Sequence, residues 1–170
     1  MSSIQKLLVA LGVVAVAAIA WVTSGIGNGA PGENTLVVRD AWVKAIPDLA
    51  ADGDMTGAFM VLENPTDEDI YVTGGTDGSG YTMMPLEAHE VVTNDAGEMV
   101  MQPAEGGILV PAGEMVQLMP GGFHIMYMGV TKPIAVGDEV TFTLTLDNGD
   151  TVEVTAVAMT LEGGTERYVP

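Results

Sequence analysis

Residues 139–159 read EVTFTLTLDNGDTVEVTAVAM, and this stretch decides the fold class. Val140, Phe142, Leu144 and Leu146 alternate with Thr or Glu, the period of a strand with one buried face. Asp147-Asn148-Gly149-Asp150 interrupts the alternation, and Asn-Gly is suited to the positive-φ positions of a tight hairpin turn. Thr151–Met159 then resumes as a second strand.

The same grammar runs outward towards the N-terminus. Short apolar runs separated by Gly, Pro, Asn and Asp predict strands over Leu36–Val43, Ala58–Glu63, Ile70–Thr76, Met83–Thr93 and Glu98–Met101. Further strands are expected over Ile108–Val110, Met115–Met119, Phe123–Gly129, Glu139–Leu146 and Thr151–Met159. No segment keeps helical periodicity for three turns, so the body reads as an all-β antiparallel sandwich or barrel. Nothing recurs at a fixed period, which argues against a propeller or solenoid.

The first residues differ from the rest. Residues 7–22 are an unbroken apolar run behind Lys6, short for a bilayer span and suited to a signal-peptide core or an N-terminal anchor. With Lys6 on the cytoplasmic side, either reading puts the remainder of the chain in the periplasm or another extracytoplasmic space, secreted or anchored. The expected organisation is a signal peptide or membrane-anchor helix over 1–26, a Gly/Asn/Pro linker over 27–35, a folded domain over 36–160 and a tail over 161–170.

Composition narrows the chemistry. A formal charge of −18 with only five Lys and Arg excludes binding of nucleic acid through a basic patch. It also disfavours anionic headgroups, leaving the N-terminal segment as the only expected membrane contact. The absence of cysteine removes disulfides, thiolate metal sites, a Cys nucleophile and a lipid-bearing cysteine. Asp52-Gly53-Asp54 and Asp67-Glu68-Asp69 lack the twelve-residue calcium-loop pattern and read as acidic turns. No nucleophile elbow, phosphate loop or His-Glu-x-x-His helix occurs, so an enzyme is not expected.

What stands out is soft donors. Only two histidines are present, His89 and His124, beside twelve methionines. His124, Met126 and Met128 share one parity of a strand, while Phe123, Ile125 and Tyr127 share the other. Met99 and Met101 are likewise two apart. Thioether sulfur prefers Cu(I), and imidazole also binds copper well. Methionine is equally a filler of irregular cores, and a histidine in an apolar strand is often a hydrogen-bonded core residue. Met55, Met60, Met115, Met119 and Met159 are expected to be packing, and Met83 and Met84 fit either role. On spacing alone, both readings of the His/Met set stay open.

A family resemblance bears on that choice. Residues 106–130, GGILVPAGEMVQLMPGGFHIMYMGV, resemble the core signature of the periplasmic copper chaperones called PCuAC. The resemblance is most specific over Pro120-Gly121-Gly122-Phe123-His124-Ile125-Met126. It is supported by Asp40-Ala41-Trp42, Glu63-Asn64-Pro65-Thr66-Asp67 and Glu87-Ala88-His89-Glu90, and spans about residues 36–158. It implies a cupredoxin-like antiparallel β-sandwich and one Cu(I) ion held by His89, Met101, His124 and Met126. Met99 is the alternative to Met101, which leaves twenty-two residues before His124 and lies nearer the family spacing than the twenty-four of Met99. The resemblance further implies delivery of copper to a terminal oxidase subunit as partner. The tail after Met159 has no His or Met, so a second copper site of the kind some members carry there is not expected.

Two alternatives remain: a metal-free surface interaction module, and copper storage or detoxification through the same site. A carrier needs His89 and His124 to converge near the surface; a metal-free module leaves them apart or buried.

Overall fold

The computed structural model describes residues 36–49, 53–161 and 167–168. The expected leader and linker, and most of the expected tail, lie outside the described residues.

Among the described residues eleven strands are formed: β1 (Val37–Lys44), β2 (Asp54–Glu63), β3 (Ile70–Asp77), β4 (Leu86–Thr93), β5 (Met99–Pro103), β6 (Ile108–Val110), β7 (Met115–Leu118), β8 (His124–Val130), β9 (Glu139–Leu146), β10 (Thr151–Met159) and β11 (Arg167–Tyr168). The expected Asn-Gly hairpin is present. β9 pairs antiparallel with β10, and its alternate residues Val140, Phe142, Leu144 and Leu146 are buried.

Strand neighbours run β4–β8–β2–β1–β10–β9–β3, and a β3–β4 pairing closes the path. The result is a closed, flattened all-β barrel, the sandwich expected. β5 extends the sheet beyond β4, β6 lies beside β3, and β7 pairs the far half of β2. Pairing is antiparallel except for β1 with β10 and β11 with β5. Closure depends on a very close backbone approach at Gly74-Gly75. A Cβ on Gly74 would lie 2.4 Å from the Leu86 carbonyl oxygen, and one on Gly75 2.2 Å from that of Thr143. Only glycine lets β3 bridge β4 and β9 here.

The interior is filled by aliphatic and aromatic side chains, among them Val43, Leu62, Val72, Ile108, Ile125, Phe142 and Val154, all inaccessible to solvent. Burial of each such side chain contributes about 1.5–3 kcal/mol. Asn64 is a fully buried polar residue. Its Nδ2 donates to the carbonyls of Glu68 and Val110 at 2.8 and 2.9 Å, and its Oδ1 accepts from Thr66 N–H at 3.0 Å. One side chain thus fastens the β2–β3 turn to β6.

Several expectations need correction. The strand expected from Ala58 begins at Asp54, because Asp54, Thr56 and Gly57 already pair with β8. The strand expected from Met83 starts instead at Leu86. Pro85 lacks an N–H for a ladder, and the Asp77 carboxylate takes the backbone N–H groups of Tyr81 and Thr82, so the chain turns before it pairs. Of the five methionines expected as packing, only Met60 is in the core. Met55, Met115, Met119 and Met159 are exposed. Met55 has the odd parity of β2, opposite to the buried Ala58, Met60 and Leu62, which turns it away from the barrel interior.

Candidate metal centre

The sheet made by β2, β8, β4 and β5 has two faces with different contents. Ala58, Met60, Ile125, Tyr127, Leu86 and Ala88 point into the main core. The alternate residues Phe59, His124, Met126, His89 and Met101 are also buried, yet lie outside that core cluster. They form a second, small buried layer on the outer face.

Register brings the donors together. His89 pairs directly with His124 across β4 and β8, and Glu87 pairs with Met126. On the other side of β4, Met101 pairs with Val91, Met99 with Thr93 and Pro103 with His89. Met101 is therefore diagonal to His89, whereas Met99 lies two residues farther, roughly 7 Å along the strand. Met99 is also 55% exposed, against 8% for Met101. Met128 shares the parity of Met126 but sits farther from the histidines.

The two imidazole rings are 5.8 Å apart between centroids and inclined at 59°. Their exposures are 0% for His89 and 2% for His124. The rings converge, as a carrier requires, but they are screened by neighbouring side chains rather than lying open. Solvent is nearest at Met101 and at the Glu87 side chain, which is 45% exposed.

Neighbouring groups orient each ring. His89 Nε2 is 2.9 Å from Glu87 Oε2, and His124 Nδ1 is 3.0 Å from the Gly122 carbonyl oxygen. Both oxygens can only accept, so these nitrogens carry the protons. In the neutral rings the lone pairs then belong to His89 Nδ1 and His124 Nε2, and both atoms are buried. Phe59 forms the far wall, 6.1 Å from the His124 ring and stacked on Trp42 at 4.4 Å. Beneath Phe59, Gly57 leaves room for the ring, since a Cβ there would lie 2.9 Å from Cζ.

Reading the strands did not assign Phe59 or Glu87 a role. For Phe59 a signal existed, because a large aromatic sits on the outward parity of a strand whose other parity is core. Among the described residues no group of three or more His, Asp or Glu is placed to hold a metal. The donors that share this face with the two histidines are the thioethers of Met126 and Met101.

Similarity to known proteins bears on the family and the fold. Residues 36–158 match the family described as putative lipoprotein LpqE-like. The chain belongs to the LpqE-like family. A relative of this LpqE-like domain, the putative lipoprotein Lxx21020 of Leifsonia xyli subsp. xyli, is 36% identical over 131 residues, covering 77% of this chain and 74% of the relative. Among solved structures, the LpqE-like fold is similar to the copper-bound PCuAC domain from PmoF2, with a TM-score of 0.58, 19% identity and coverage of 80% of this chain and 100% of that one. It is also similar to the solution structure of CuI-DR1885 from Deinococcus radiodurans, with a TM-score of 0.51, 24% identity and coverage of 74% and 80%. The resemblance to PCuAC domains and the fold it implied are thus borne out.

Proposed function

We propose that this domain is an extracytoplasmic copper chaperone that carries one Cu(I) on His89, His124, Met126 and Met101. The observation that carries the reading is the direct cross-strand pairing of His89 with His124, with Met126 and Met101 on the same outer face. Two imidazoles and two thioethers are neutral donors, and thioethers select Cu(I) over harder ions. A d10 ion imposes little geometric demand, so a flat sheet surface suffices. With the protons placed by Glu87 and Gly122, His89 Nδ1 and His124 Nε2 would be the ring donors to the ion, as outer partners select the ligating nitrogen in metal sites generally. Structural similarity to PCuAC domains solved with copper supports copper as the ion.

Copper is cargo in this reading, and the protein performs no reaction on it. Beside the pair the Glu87 side chain is open to solvent, and an acceptor approaching there could displace one ligand at a time. The recipient is a cuproenzyme outside the cytoplasmic membrane, a terminal oxidase subunit. The leader expected at 1–26 supports that location, as does a family described as putative lipoprotein LpqE-like, although this chain has no cysteine to carry a lipid. Delivery, rather than storage, is tested by following copper from the loaded protein to an apo-oxidase subunit.

The binding test is competition with a colorimetric Cu(I) chelator. The protein should withdraw one equivalent of copper from the chelator, and the double variant His124→Ala/Met126→Leu should withdraw none. Equal competition by the double variant would overturn the ligand assignment.

A further inference from the structure

The outer face does not end at Met126. β8 carries a bulge: Thr56 pairs with Tyr127, Asp54 pairs with Val130, and the intervening Met55 faces the extra residues Met128 and Gly129. Gly129 has φ 61°, and the Met84 sulfur lies 3.0 Å from where its Cβ would be. Methionines from three chain segments therefore meet at one end of the sheet. Met55 is 37% exposed and Met84 48%, while Met128 is half-buried and shares the outward parity of Met126.

Met84 is held in place by a built connection. Thr82 Oγ1 donates to the Met128 carbonyl at 2.6 Å and accepts from Met84 N–H at 3.0 Å. Thr82 is 5% exposed, and its own N–H is taken by Asp77 at 3.0 Å. One buried hydroxyl thus ties the backbones of two of the three methionines together.

We propose that Met55, Met84 and Met128 form a second, thioether-only Cu(I) site, which receives the ion at the surface and passes it along β8 to Met126. Packing does not account for the group, because two of its members face water and all three point away from the core. Thioethers without imidazole hold Cu(I) through soft, neutral donors alone, which suits an exchangeable station beside a tighter centre. No oxidation state changes during the transfer; one set of sulfurs replaces another around the same ion. The site is distinct from the histidine pair but rests on the reading that Cu(I) is the cargo.

The test is anaerobic Cu(I) titration of the full-length chain carrying methyl-labelled methionine, read by the methyl resonances. Met101 and Met126 should shift during the first equivalent, and Met55, Met84 and Met128 once it is exceeded. In Met84→Leu/Met128→Leu, the Met55 shift should be lost while Met101 and Met126 still respond. If Met55, Met84 and Met128 stay still in excess copper, this proposal is overturned, whatever Met126 does. If they move while Met101 and Met126 do not, the second site stands and the His/Met centre falls.

Discussion

His89 and His124 face each other directly across the β4–β8 ladder, thirty-five positions apart in the chain, with ring centroids 5.8 Å apart. Neither ring contributes to the main core, and each is oriented by a fixed acceptor two residues away. The ligands around the pair and the groups that orient it can be probed separately.

The middle ligand can be separated by two conservative substitutions. Met101→Leu should weaken Cu(I) binding strongly, since it removes a buried donor diagonal to His89. Met99→Leu should leave binding unchanged, because Met99 is exposed and farther along β5. Chelator competition on both variants is the measurement, and the reverse order would reassign the ligand.

Glu87 is a positioning residue in this geometry. Its carboxylate accepts from His89 Nε2 and so sets which nitrogen can face the ion. Glu87→Gln should lower Cu(I) affinity by about tenfold, the low end for outer partners of metal ligands. The melting temperature should stay within a few degrees, because Glu87 is a partly exposed side chain. Loss of folding instead of affinity would contradict the positioning role.

Tyr127 presents a different case. Its ring is fully buried edge-on to Phe142 at 6.0 Å, and its hydroxyl has no hydrogen-bond partner among the described residues. Burial, with a smaller contribution from Asp77, raises its pKa far above the ordinary 10.0. Below pH 10 both folded and unfolded chains keep the proton, and stability is at its full value. Above it the unfolded chain releases the proton first, so stability falls by about 1.4 kcal/mol per pH unit. Tyr127→Phe should flatten that alkaline loss and be neutral or stabilising by about 1 kcal/mol at pH 7. Urea unfolding of both proteins at pH 7 and above pH 10 measures it.

Asn64 should matter for stability and not for copper. Asn64→Ala strands the carbonyl of Val110 and releases the turn after β2, at a cost of about 2–3 kcal/mol. Chelator competition by the folded fraction should be unaltered. A loss of copper binding at unchanged stability would show that the turn communicates with the distant outer face.

Much of the fold is legible in the chain alone. Alternation across Glu139–Met159 and the Asn-Gly turn suffice for the terminal hairpin, because a period of two is a local property of the chain. The strand limits from Ile108 to Met159 agree with those expected to within a residue at each end. Parity alone puts His124, Met126 and Met128 on the face opposite Ile125 and Tyr127, without saying whether that face binds or packs. The His89–His124 register, the choice between Met101 and Met99 and the place of Glu87 cannot be read that way. They depend on which strands become neighbours and in what alignment.

The methionines divide along the same line. Composition identifies them as numerous, and hydrophobicity suggests packing, but hydrophobicity cannot say which side of a sheet a residue faces. Only the tertiary structure turned Met60 inward and Met55 outward, one on each parity of β2. It also carried Met84 onto the β8 bulge through the bond from Thr82 to Met128. The chain by itself determined its strands and its stock of soft donors; the closed sheet decided which donors meet. Strand periodicity is written locally, whereas convergence across strands exists only once the barrel has closed.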